Sequence, residues 1–153
     1  MCTKNTMTML QQSNDHQKVN LGYLLTQSAY IWRRAVARAL LPYGLTPPQF
    51  FLLMSIYRQQ LHEDRMPNQR QAAAHTTMDV NVASQITKKL IARKLVDRHV
   101  DPKDSRAYVL SLTTDGIALA KESSAMVRAC NDVFFADSNP QYLAEELQKI
   151  IKE

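Results

Sequence analysis

Apolar side chains first recur in register from Leu21. Leu21, Leu24, Leu25, Trp32, Ala35 and Ala39 fall at helical spacing, with Ser28 in the same stripe, which predicts a long helix. The residues before it, 1–20, are polar and aperiodic, the pattern of a flexible arm. Pro42-Tyr43-Gly44 ends the helix, and Thr46-Pro47-Pro48-Gln49 starts another. Thr46 suits the cap, Pro47 the first helical position, and Gln49 completes a capping box. Phe50, Leu53, Ile56 and Tyr57 carry this second helix to about Gln60.

After a polar connection over 61–67, Asn68-Gln69-Arg70-Gln71 forms a second capping box and opens a short helix over 69–75. A turn without glycine, Thr76-Thr77-Met78, leads to Asp79, the cap of a helix expected to reach about Leu95. Two short helices about a tight turn make a helix-turn-helix. The period then changes. Residues 96–100 and 107–112 read as strands around the charged turn Asp101-Pro102-Lys103-Asp104-Ser105-Arg106. Thr113-Thr114-Asp115-Gly116 opens a further long helix to about Phe135, broken by Asn139-Pro140. The last helix spaces Leu143, Leu147, Ile150 and Ile151 at i, i+4, i+7 and i+8. The expected fold is mainly α with a small β-hairpin (α+β). Its organisation is an arm (1–20), a first helix (21–42), a helix-turn-helix lobe with hairpin (43–113) and two closing helices (114–153).

Composition narrows the chemistry. With 153 residues the chain can form one core plus an assembly element. Its net charge of +5 is unevenly spread. Residues 1–78 hold eight Lys/Arg against three Asp/Glu, residues 79–106 seven against four, and residues 107–153 four against seven. A basic front suits a polyanion, and a different face is left for a partner. Cys2 and Cys130 are too few for a disulfide framework and have no metal-ligand spacing. His16, His62, His75 and His99 are scattered over a tail, a linker, a helix end and a strand. Together with the lack of a phosphate-binding glycine loop, this points away from an enzyme, a metal site or a bound cofactor. No apolar leader or membrane-length segment is apparent, so a cytoplasmic protein without a membrane partner is expected.

The helix over 79–95 carries the main functional signal. Ala83, Ile86 and Leu90 form an inward stripe, with Val82 beside it. Asn81, Ser84, Gln85 and Lys88 share another face that holds no carboxylate, whereas an ordinary solvated face mixes in Glu or Asp. Amides can read adenine edges, and Lys can reach guanine acceptors or phosphate. On the hairpin, Arg106 is the best cation for a narrow minor groove, with Lys103 nearby and Asp104 placed to pair with Arg106 and direct it. Gln69, Arg70, Lys89 and Arg98 are the candidate phosphate contacts. Beyond the hairpin, Ile117, Ala120, Val127, Cys130 and Phe134 need burial, as do the apolar residues of the last helix. A twofold dimer would bury them and set two recognition helices about 34 Å apart. A protein-interaction module, its basic face against an acidic protein, is the alternative from another class.

Residues 21–119 resemble the MarR family of bacterial winged-helix transcription regulators. The resemblance is carried by Gly44-Leu45-Thr46-Pro47-Pro48-Gln49-Phe50, the helix over 79–95, the hairpin Asp101–Arg106 sequence and Leu112-Thr113-Thr114-Asp115-Gly116. It implies a repressor that binds double-stranded operator DNA, with the helix over 79–95 in the major groove and Arg106, braced by Asp104, in the minor groove. It also implies a homodimer built from the first helix and the last two, with Leu21, Leu24, Val127, Phe134, Leu143, Leu147, Ile150 and Ile151 at the interface. A small aromatic or phenolic effector is implied between the dimer region and the DNA-binding lobe. Tyr30, Trp32, Arg33 and Arg34 could face it, though no effector residue is assigned. A branch of the family senses hydroperoxides through a cysteine, which makes Cys2 or Cys130 the alternative sensor. Two positions depart from the family pattern: Lys94 stands where glycine is usual, and Gln85 where many members carry arginine.

Overall fold

The computed structural model describes residues 20–76 and 78–151. Apart from Asn20, the arm expected over 1–20 lies outside them, as does Cys2. The chain divides into two units, one ending at Ile31 and one beginning at Trp32, with helix α1 (Leu21–Leu40) crossing the division. Asn20 Oδ1 accepts the Tyr23 amide at 2.9 Å and so caps α1. Every residue from Asn20 to Ile31 is exposed in the single chain, including Leu21, Leu24 and Leu25. The later part of α1 buries Val36 and Leu40.

A 3-10 turn, Leu41–Tyr43, closes on Gly44 in the left-handed region at φ 60°. Helix α2 (Pro47–His62) then opens on the expected capping box. Thr46 donates its amide to Gln49 Oε1 at 2.9 Å, and Thr46 Oγ1 accepts the Gln49 amide. Helix α3 (Gln69–Ala74) repeats the device with Asn68 and Gln71. Helix α4 (Val80–Ala92), strands β1 (Val96–Asp101) and β2 (Asp104–Leu112), and helices α5 (Thr114–Phe134) and α6 (Pro140–Ile151) complete the order. The strands form a two-stranded antiparallel sheet.

Leu40, Leu52, Leu53, Ile56, Leu90, Val96 and Leu110 are fully enclosed in one core, and Ala120 and Val127 bring α5 into it. Each enclosed Leu or Ile contributes roughly 1.5–3 kcal/mol. A buried polar chain runs through the same region. Ser55 Oγ donates to the Ala72 carbonyl at 2.8 Å, Gln59 Nε2 donates to Ser55 Oγ, and Arg65 Nη2 donates to Gln59 Oε1 at 2.7 Å. It fixes α3 on α2. The Pro67 carbonyl accepts the Leu110 amide, and Gln60 Oε1 accepts the Leu112 amide, so β2 is tied to the same frame.

Helix α4 ends at Ala92, three residues before the expected end. Lys94 adopts φ 57°, and the Leu95 amide returns to the Leu90 carbonyl at 3.0 Å, so the chain turns out of the helix through a left-handed residue. That is the conformation glycine favours, and it gives the departure at Lys94 a physical meaning. Lys94→Gly should stabilise the fold by about 0.5–1 kcal/mol in urea denaturation, because relief of the side-chain clash exceeds glycine's extra chain entropy. A destabilised variant would show that the lysine side chain is needed there.

The hairpin also differs from expectation. Strand β2 starts at Asp104 instead of Ala107, leaving Pro102 and Lys103 as the tip. Two aspartates account for the extension: Asp101 Oδ1 accepts the Lys103 amide and Asp104 Oδ1 accepts the Arg106 amide. They satisfy main-chain donors next to the irregular register at Val100 and Asp101.

Candidate nucleic-acid interface

Asp79 sets the start of α4, its carboxylate accepting the amides of Asn81 at 2.8 Å and Val82 at 3.4 Å. Ala83, Ile86, Thr87 and Leu90 face the core, and the Thr87 hydroxyl is satisfied by the Ala83 carbonyl. Asn81, Gln85, Lys88 and Lys89 are exposed and Ser84 is half-buried, so the acid-free face is open to a ligand. Val82 lies beside the inward stripe, as its spacing implies. It is 48% exposed, because the helix turns Ala83 and Ile86 into the core and leaves Val82 at the margin. Val80 is exposed as well. Both are apolar groups of the kind that meet a thymine methyl. At the other end of α4, Arg93 Nη1 donates to the Gly44 carbonyl at 2.8 Å, which fixes the helix to the turn before α2.

A groove of about 450 Å³ lies between α3, the start of α4 and the hairpin. Gln69 and Arg70 line it from α3, Val80 from α4, and Arg98 and Tyr108 from the strands. Three of the four expected phosphate contacts thus meet in one place, while Lys89 lies farther along α4 and outside the groove. The Arg98 guanidinium sits 3.9 Å from the centroid of the Tyr108 ring. Such stacking orients a cation while leaving its N–H edge free. Tyr108 was not singled out from the sequence; its signal is the diagonal, same-face relation to Arg98 that the strand register creates.

Lys103, Asp104 and Arg106 are all exposed on the hairpin. Asp104 braces Arg106 through its main-chain amide at 2.9 Å. Among the described residues no ion pair joins the two side chains. The Arg106 charge therefore stays available while its backbone is held.

A second cavity, about 440 Å³, is lined by Trp32, Arg33, Phe51, Met54, Arg58 and His75, among others. Trp32 donates Nε1–H to Asn131 Oδ1 at 2.8 Å and stacks on Phe51, so it braces α5 while forming a wall. Tyr30 and Arg34 are exposed and are not among its lining residues. Cys130 is half-buried against the core. No cluster of His, Cys, Asp and Glu among the described residues could hold a metal ion. No helix there is long and apolar enough to cross a membrane.

A helix-turn-helix followed by an antiparallel hairpin, with cations on both, defines a winged-helix DNA-binding protein. Known proteins narrow the class. A model of the MarR family matches residues 43–107. The HTH-type transcriptional repressor Mb2911 of Mycobacterium bovis is 32% identical over 111 residues, covering 72% of this chain and 76% of that protein. The HTH-type regulator YdcH of Bacillus subtilis is 28% identical over 132 residues, covering 86% and 89%. The crystal structure of CouR from Rhodococcus jostii RHA1 bound to p-coumaroyl-CoA matches with a TM-score of 0.77 at 26% identity, covering 86% of this chain and 90% of that one. The chain belongs to the MarR family of winged-helix transcription regulators. It is a DNA-binding regulator and not an enzyme.

Proposed function

We propose that this protein is a homodimeric repressor that holds a pseudo-palindromic operator and is released by a small aromatic or phenolic effector. The observation that carries the reading is the open, acid-free face of α4 beside a groove that gathers Gln69, Arg70 and Arg98. Helix α4 enters the major groove, where Asn81, Ser84, Gln85 and Lys88 face base edges. Lys103 and Arg106 reach the flanking minor groove, with Asp104 holding the main chain. Gln69, Arg70, Lys89 and Arg98 contact phosphates, which makes binding strongly salt-dependent.

The dimer reading is supported by apolar groups left uncovered in one chain. Helix α6 has no buried residue, and Ile150 and Ile151 are 63% and 79% exposed. Phe134, Leu143 and Leu147 are only half-buried, and Leu21 and Leu24 are exposed. Val127 differs from these, since it is already enclosed in its own chain's core and belongs to the fold. Repression follows the similarity to Mb2911, described as a repressor. The Trp32–Phe51 cavity supplies aromatic walls and, from Arg33, a cation for an aromatic acid, and CouR holds an aromatic thioester. A soluble regulator of this kind acts in the cytoplasm, where its operator is.

Arg106→Ala tests the wing. Operator affinity should fall by about tenfold, the scale of one lost charge-assisted contact. Thermal unfolding should stay unchanged, because the Arg106 side chain is exposed. Unchanged affinity in fluorescence anisotropy at physiological salt would remove the wing from the interface.

A further inference from the structure

Among the described residues Arg98 makes no hydrogen bond and no ion pair. Its guanidinium is held by the Tyr108 ring alone, at 3.9 Å from the centroid. No other cation of the DNA-binding face rests on a ring among those residues. The strand register creates the contact. Val100 pairs with Tyr108 and Arg98 with Leu110, so Arg98 and Tyr108 stand diagonally on one face of the hairpin. The ring sits on a fixed strand, because Leu110 is buried and its amide donates to the Pro67 carbonyl at 2.8 Å. Pro67 immediately precedes Asn68, the cap of α3. The stack is therefore placed relative to Gln69 and Arg70, which line the same groove from α3.

An exposed arginine gives up much rotamer freedom when it grips a phosphate. A ring beneath the guanidinium removes part of that cost in advance, because the plane of the fork is chosen before DNA arrives. The attraction between a cation and an aromatic face also grows as water is excluded. Tyr108 is 47% exposed and lines the groove, so a duplex strand laid there covers the ring and strengthens the stack. Resting on the DNA-binding reading above, we propose that Tyr108 is a positioning residue. Its ring holds Arg98 in the orientation that takes a backbone phosphate of the duplex, and the hairpin contributes to affinity through an arginine aligned beforehand.

A double-mutant cycle on the full-length protein tests this, with a mixed-sequence duplex of about 30 base pairs, long enough for two half-sites one turn apart. Phosphate contacts do not depend on base sequence, so no operator is required. Arg98→Gln should weaken binding by about tenfold, the scale of a lost charge-assisted contact. Tyr108→Leu keeps apolar bulk but removes the ring, and it should weaken binding by about fivefold and flatten its salt dependence. Tyr108→Phe should stay within about twofold of the parent, because the ring face remains. Both side chains are exposed, so thermal unfolding should be unchanged in every variant. Tyr108→Leu combined with Arg98→Gln should be no weaker than Arg98→Gln alone, about tenfold below the parent. Losses that multiply, to about fiftyfold, would show that Tyr108 acts independently of Arg98 and would overturn the proposal. Equal losses in the leucine and phenylalanine variants would overturn it too, by assigning the effect to the hydroxyl. Full affinity in Tyr108→Leu, with a parent that binds duplex, would remove the stack's role and leave the DNA-binding reading intact. A parent that binds no duplex would overturn both.

Discussion

Replacing Gly116 with alanine is expected to lower the free energy of unfolding by about 3 kcal/mol, the upper part of the range for an overpacked site. A Cβ at this position would lie 2.0 Å from the Leu95 carbonyl oxygen and 3.0 Å from its carbonyl carbon. Both are backbone atoms, so no flexible side chain can yield. The obstruction is also held from two sides. The Leu95 carbonyl accepts the Thr113 amide at 3.2 Å, and Thr113 Oγ1 donates to the Lys94 carbonyl at 2.8 Å while accepting the Gly116 amide. Helix α5 cannot retreat without losing that clasp. Because the clasp joins the end of α4 to the end of β2, the variant should also loosen the wing. A urea midpoint within experimental error of the parent would contradict this account of the corner.

The second large effect concerns assembly. Ile150→Asp together with Ile151→Asp should leave the single chain folded, since both side chains are exposed. It should make the protein monomeric at micromolar concentration in sedimentation experiments. Operator affinity should fall by about 100-fold or more, because each recognition helix then binds its half-site without the effective concentration that its twin provides. A variant that stays dimeric would exclude the end of α6 from the interface. One that becomes monomeric yet keeps its affinity would exclude twofold recognition.

How far these features could be read from the sequence depended on their range. The capping boxes at Thr46/Gln49 and Asn68/Gln71 and the cap at Asp79 were legible, because each is a contact between residues at most three apart. The outward amides and lysine of α4 were legible from helical spacing alone. Val82 was legible as lying beside the stripe, but its exposure was not, because the helical period locates a stripe and says little about its margin. The hairpin turn was drawn too long although the Asp101 and Asp104 caps each span only two residues. The run of charged residues resembles a turn, and the extended ladder depends on pairing with β1. Lys94 was visible as a departure from the family, but its left-handed backbone was not. The Gly116–Leu95 approach and the Trp32–Asn131 hydrogen bond join distant segments, and they emerge only when helices pack.

The central claim is that two copies of α4 and its wing read one symmetric duplex. Selection from a pool of random duplexes with the full-length protein tests it most directly. The enriched sequences should contain an inverted repeat whose half-site centres lie about one helical turn apart, near 10 base pairs. Gln85→Arg should shift the preferred base within each half-site while keeping the spacing. A pool that remains random, or one that enriches a single unpaired half-site, would contradict twofold operator recognition.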